Sequence, residues 1–222
     1  MLRRRALVVW GGWDGHQPRE VARLFERILG EEGFDVRLSD SLDSFNDPGS
    51  IGAYSLIVPH WTMGRLTHEQ QNAVCSAVAG GVGMAGCHGG MCDAFRESTE
   101  WQFMTGGQWV AHPGDDGTRH IIRIGPTKHQ ITEGLGDFEV STEMYYMHVD
   151  PAVKVLATCR LPVADGPHVG NGPVDMPVAW TKVYGRGRVF YCSLGHRAAV
   201  LEIPPVKTMM RRGFAWAARQ SR

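Results

Sequence analysis

The sequence predicts an α/β protein with a mostly parallel central sheet, and three features carry that reading. Through the first half, short apolar runs of strand length alternate with amphipathic helical stretches, the pattern of a sheet covered on both faces. A strand-like run at 82–86 ends in a turn crowded with glycine, Gly86-Cys87-His88-Gly89-Gly90. The second half is rich in β-type segments with a hairpin signal, which adds antiparallel strands to the parallel set. The 222 residues are read as one domain, 1–222, a length that suffices for a single packed core.

Taken in order, the apolar run at 7–10 is the first strand, stopped by Gly11 and Gly12. Pro18 suits the first turn of a helix, and Val21, Leu24, Phe25, Ile28 and Leu29 recur on one face before Gly30. Segments 34–38 and 55–58 are the second and third strands. Thr67 with Gln70 makes a capping box for a helix that turns Val74, Ala77 and Val78 inward and stops at Gly80-Gly81. The fourth strand is 82–86, followed by a helix at 91–96. Further strands are expected at 121–124, 138–145, 153–158, 177–183 and 189–192, with Gly185-Arg186-Gly187 turning between the last two. Segment 165–174 is a surface excursion. A closing helix at 205–219 buries Val206, Met209, Met210, Gly213 and Phe214.

Composition excludes several classes of partner. The 23 basic and 23 acidic side chains cancel and form no long run, so neither a nucleic-acid footprint nor a membrane-binding face is expected. No stretch reaches transmembrane length, and the apolar run after Arg3-Arg4-Arg5 is too short for a secretory signal. Five cysteines without regular spacing fit free thiols in a reducing cytoplasm. A small-molecule partner follows, and assembly into a homo-oligomer is left open.

In open parallel sheets the binding crevice lies beyond the carboxyl ends of the strands, so polar residues at those ends should meet. They are Trp13, Asp14 and His16, then His60 and Trp61, then Cys87 and His88, and finally His196. His112 enters an extended loop after Trp109-Val110-Ala111. His68, His120 and His168 read as surface positions, and His129 as a brace for the loop before Ile131.

The pattern Gly86-x-His88-x-Gly90 is that of a nucleophile elbow, a strained turn that lifts one side chain into the open. With histidine at the tip, three readings stand. His88 is a general acid or base; or it ligates a divalent metal such as zinc together with His60, His112 and His196; or it is a hydrogen-bonded remnant of a lost hydrolase site. Cys87, one position before the tip, points toward the packed side of the strand, where a thiol acts as a small hydrophobe.

Several segments occur together in a particular order. They are Val8-Val9-Trp10 with His16, Gly86-Cys87-His88-Gly89, Trp101 with Met104-Thr105-Gly106-Gly107, and His112-Pro113. After them come His129 to Leu135, Thr142-Glu143-Met144-Tyr145, Pro177-Val178-Ala179-Trp180, and Gly185 to Tyr191 ending at Gly195-His196. In this order the chain resembles the ThuA-like family, named for a trehalose-utilisation protein, over nearly its whole length. Gln130 stands where that family often has proline.

The resemblance implies a flavodoxin-like, three-layer fold similar to the class I glutamine amidotransferases. Those relatives carry cysteine at the elbow, so His88 implies that glutaminase activity is absent. It also implies a role in the breakdown of trehalose or related disaccharides, with a sugar or sugar derivative as ligand. Glu143 matches the family's acidic-aromatic segment, so His88, Glu143 and His196 form the catalytic set, with isomerisation, elimination or hydrolysis of a keto-glycoside as the reaction. The substrate-binding set is Trp13, His16, His60, Trp61, Trp101, His112 and Tyr145, in which flat aromatic rings cover sugar C–H faces. Two other function classes stay open: a non-catalytic carbohydrate-binding or regulatory protein, and a hydrolase or transferase that uses Cys87.

Overall fold

A computed structural model describes residues 4–218. Its first half alternates strand and helix: β1 (Arg4–Gly12), α1 (Pro18–Glu31), β2 (Phe34–Ser39), the short α2 (Pro48–Gly52), β3 (Leu56–Thr62), α3 (His68–Ala79), β4 (Gly83–Cys87) and the one-turn α4 (His88–Cys92). Then come α5 (Thr99–Thr105), β5 (Gly107–Ala111), β6 (Arg119–Ile124), β7 (Phe138–Ser141), β8 (Tyr146–Val149), β9 (Lys154–Leu161), β10 (Val174–Tyr184) and β11 (Gly187–Cys192). The chain continues through α6 (Ala198–Leu201) and α7 (Pro204–Ala217).

Nine strands form one sheet in the order β2-β1-β3-β4-β11-β10-β9-β6-β7. The first five are mutually parallel, and the other four extend the sheet antiparallel. β5 and β8 pair in a separate ribbon. The parallel strands read as continuous apolar runs because both faces are covered: Ala6 to Val9 of β1 are all buried. α1 and α7 cover one face and touch each other, with Phe25 edge-on to Phe214 at 5.1 Å. α3 and α5 pack together against the rest of the fold. α1 buries the stripe its spacing predicts, and the capping box at Thr67 closes with both reciprocal bonds.

Five expectations are corrected. β3 runs on to Thr62, so His60 and Trp61 lie within the strand, opposite Trp10 and Gly11 of β1. The helix expected at 91–96 is instead α4, starting at His88 and ending at Cys92. Asp93 leaves the helical conformation at φ −129°, and beyond it the Asp93 and Ala94 carbonyls accept the Met63 and Gly64 N–H groups from the loop after β3. The run expected at 138–145 breaks after Ser141, and the chain crosses from the main sheet into the ribbon. His120 is buried because β6 alternates and turns His120 and Ile122 inward. α7 ends at Ala217, and Arg219 lies outside the described residues. Among the described residues, no helix is long and apolar enough to cross a membrane.

A histidine and glutamate cluster at the strand ends

β4 delivers its last residue, Cys87, into a sharp turn at which His88 adopts φ +48°. A side chain in that left-handed conformation costs about 1–2 kcal/mol, which the surrounding packing must offset. The glycines around it are needed for space. A Cβ on Gly89 would lie 2.6 Å from the His16 ring, and one on Gly90 2.3 Å from His60 Nδ1. The elbow does not lift His88 into the open, however. His88 is fully buried, roofed by the Tyr145 ring stacked at 4.0 Å and 25°, with the His16 and His196 rings edge-on at 4.6 and 5.5 Å.

The hydrogen bonds set the chemistry of each ring. His88 Nδ1 is 2.7 Å from the Ser193 carbonyl, which can only accept, so the neutral ring carries its proton there and Nε2 keeps a lone pair. That Nε2 lies 3.3 Å from Glu143 Oε2, and His196 Nδ1 lies 3.3 Å from the same oxygen. Both nitrogens are buried, and neither approach has the direction of a hydrogen bond. His16 Nδ1 pairs with Thr62 Oγ1 at 2.8 Å. His196 Nε2 faces the Asp116 carboxylate at 3.7 Å, itself paired with Arg197 at 2.6 Å. One nitrogen or oxygen from each of His16, His88, Glu143 and His196 falls within 4.8 Å of the others.

Burial pushes His16 down to about 2, helped by the neighbouring His88, His196 and His60 rings. Burial also lowers His88, against the pull of Glu143. For Glu143, burial pushes the carboxyl up, and the His196 and His88 rings more than reverse it whenever the nitrogen facing the carboxylate carries a proton, holding it well below the usual carboxylate range. The result at neutral pH is an ionised carboxylate beside neutral His16 and His88 rings, an electron-rich centre suited to holding a proton or a cation.

A sequence model of the ThuA family, described as trehalose utilisation, matches residues 5–217. The chain belongs to the ThuA family. Among solved structures, a ThuA-like protein of Parabacteroides merdae superposes with TM-score 0.75 at 18% identity, covering 99% of this chain and 92% of that one. A ThuA-like protein of Bacteroides uniformis gives TM-score 0.75 at 17% identity, covering 97% and 91%. A cytoplasmic protein of Salmonella typhimurium LT2 gives 0.68 at 10% identity, covering 97% and 100%. No curated protein matches significantly. These likenesses establish the fold, an α/β layering around a large, mostly parallel sheet with antiparallel strands at one side.

In this ThuA-family chain the cluster draws residues together from the ends of β1, β4 and β11 and from the crossing between β7 and β8. His88, Glu143 and His196 lie together, and His16 joins them as a fourth member. Trp13 stands at the edge, 46% exposed and 4.7 Å from the His16 ring. Other expected site residues are elsewhere. Trp101 is in the core, packed edge-on to Phe95 and donating its indole N–H to the Met91 carbonyl at 2.8 Å, so it lines no cleft. His112 is exposed beyond the end of β5, against Trp109, and outside the ligand group. His60 is buried within β3, with Nε2 3.4 Å from the His16 carbonyl, and supports the cluster without offering it an atom.

Two aromatic residues have packing roles. Trp61 lies against Gly11 and Gly64, filling the space their missing Cβ atoms leave. Tyr145 is buried and stacks on His88, leaving no free ring face on that side for a sugar. Cys87 is fully buried, and burial, with Cys192 adjoining, pushes its thiol well above the ordinary value, as for a thiol that packs as a small hydrophobe. His129 braces its loop as expected, accepting the Ile131 N–H at 3.2 Å. Sequence reading missed Thr62, Ser193 and Asp116. Thr62 and Asp116 look like ordinary strand-end and turn residues, and Ser193 acts through its backbone, which no side-chain pattern records.

Proposed function

We propose that this protein acts on a sugar of the trehalose-related disaccharide or keto-sugar class, by moving a proton at the His88–Glu143–His196 centre. The observation that carries the reading is one ionised carboxylate oxygen 3.3 Å from two imidazole nitrogens. A ketone acidifies the adjoining C–H, and such a centre takes that proton and returns it to a leaving or rearranging oxygen. Glu143 retains 12% of its side-chain exposure, so the centre reaches solvent on its side, and a half-exposed Trp13 at the rim would cover a sugar ring. Membership of a family described by trehalose utilisation supports the substrate class. The five buried, free cysteines suit a reducing cytoplasm.

A non-catalytic sugar-binding role is the second reading, favoured by the complete burial of His88 under Tyr145. Incubation with trehalose and with its keto derivative, followed by mass spectrometry, separates the two. The catalytic reading expects a product from the native protein and none from a folded Glu143→Gln variant. Turnover by that variant at the native rate refutes it, and saturable binding without product selects the second reading.

A further inference from the structure

We infer that His16, His88, Glu143 and His196 form a binding site for one divalent first-row metal ion of the zinc type. The inference goes beyond the proposed sugar chemistry, although the residues are shared.

The polarity of the centre is unmatched. His88 Nε2 and His196 Nδ1 are buried without a hydrogen-bond partner. An orphaned buried polar atom costs about 1–3 kcal/mol. His88 Nδ1 is committed to the Ser193 carbonyl, so its Nε2 lone pair faces the lone pairs of Glu143, acceptor against acceptor. Four residues offer ligand atoms within 4.8 Å of one another, more than the two hydrogens of a water can serve. A single cation satisfies all of them.

The spacing of the ligand atoms points to the same ion. Ligand atoms about 2.0–2.2 Å from a tetrahedral zinc lie about 3.4 Å from each other. The two edges from Glu143 Oε2, to His88 Nε2 and to His196 Nδ1, are 3.3 Å each. Three imidazole nitrogens and one carboxylate oxygen suit a borderline ion and disfavour calcium or magnesium, which take oxygen ligands.

The histidine ligands are also supported from behind. Metal-bound histidines usually have the second ring nitrogen held by a neighbour. Here Ser193 O serves His88, Thr62 Oγ1 serves His16, and Asp116, anchored by Arg197, faces His196. The ligands come from residue 16 to residue 196, so no short HxxxH spacing announces the site.

The test is metal content. The purified protein is stripped with chelator, exchanged into zinc chloride, freed of excess and assayed by elemental analysis; cobalt(II) replaces zinc in a parallel sample for its visible spectrum. The expected result is about one equivalent per chain and cobalt bands of a nitrogen- and oxygen-ligated centre. His16→Ala and Glu143→Gln should weaken uptake at least tenfold, while His112→Ala should bind as the native protein does. Circular dichroism checks that each variant is folded, and Glu143→Gln keeps the side-chain shape should the alanine variant not fold. A folded native protein that takes up no zinc or cobalt overturns the inference, as does equal uptake by the folded His16 and Glu143 variants. Uptake without action on sugar sinks only the proposed function, and sugar turnover by a protein that binds no metal sinks only this inference.

Discussion

Replacing Gly90 with alanine tests whether the elbow is packed as tightly against β3 as its geometry indicates. The new Cβ would lie 2.3 Å from His60 Nδ1, 2.8 Å from the His60 α-carbon and 2.9 Å from Cγ, where ordinary van der Waals separation begins at 3.4 Å. His60 cannot swing aside, because it is buried in the middle of β3, edge-on to Phe25, and its backbone is crowded along with its ring. Overpacking of this kind costs about 1–3 kcal/mol, and the clash with backbone puts Gly90→Ala toward the top of that range. Alanine recovers up to about 1 kcal/mol of helix propensity in α4. The net expectation is destabilisation by about 2 kcal/mol, a fall in Tm of about 4–8 °C at this chain length. Gly30→Ala is the matched control: its Cβ would meet nothing within 4 Å, so it should raise stability by about 0.5–1 kcal/mol. Thermal unfolding followed by circular dichroism reads both. If Gly90→Ala melts at the native temperature, the elbow does not press on β3 and the placement of His88 loses its support.

Three other outcomes are expected. Burial pushes His60 down to about 4, against the hydrogen bond to the His16 carbonyl and with His88 nearby adding to the fall. The unfolded chain therefore takes up this proton first as pH drops, so stability is full above about 6.5 and is lost between about 6.5 and 4, by about 3 kcal/mol from this one group. Urea unfolding across that window should show the slope, and a His60→Gln variant that keeps the whole of it refutes the assignment. All five cysteines are buried, so iodoacetamide in native buffer should leave the intact mass unchanged and add five groups in denaturant; an adduct on Cys87 in native buffer would contradict its packing role. Trp13→Ala should lower Tm modestly, since about half of the ring is buried against His16 and Gly15, and weaken sugar binding by about 1 kcal/mol in calorimetry; unchanged affinity removes Trp13 from the ligand site.

Much of the fold was legible because local and global demands agree. A parallel strand buried on both faces must be apolar throughout, as in β1, and a covering helix must be amphipathic, as in α1. The elbow was legible for a similar reason, since a tight turn against neighbouring strands needs glycine wherever a Cβ would collide. Where the reading failed, long-range interactions decided. The segment after α4 is tied instead to the loop after β3, whose Met63 and Gly64 N–H groups donate to the Asp93 and Ala94 carbonyls, a pairing distant in sequence that local spacing does not record. The β7–β8 break is a change of sheet, which period-two alternation does not register.

The sequence by itself determined the α/β alternation, the place of the elbow and the histidines at its strand ends. Only the tertiary structure decided that His16 and Glu143 complete the centre, that His60 lies beneath it, and that His112 and Trp101 stand apart. The physical reason is range. Alternation and glycine spacing are local properties of the backbone, whereas a ligand group depends on side chains from residues 16, 88, 143 and 196 pointing to one place within 4.8 Å, a condition set by sheet order and hydrogen bonding that no spacing along the chain encodes.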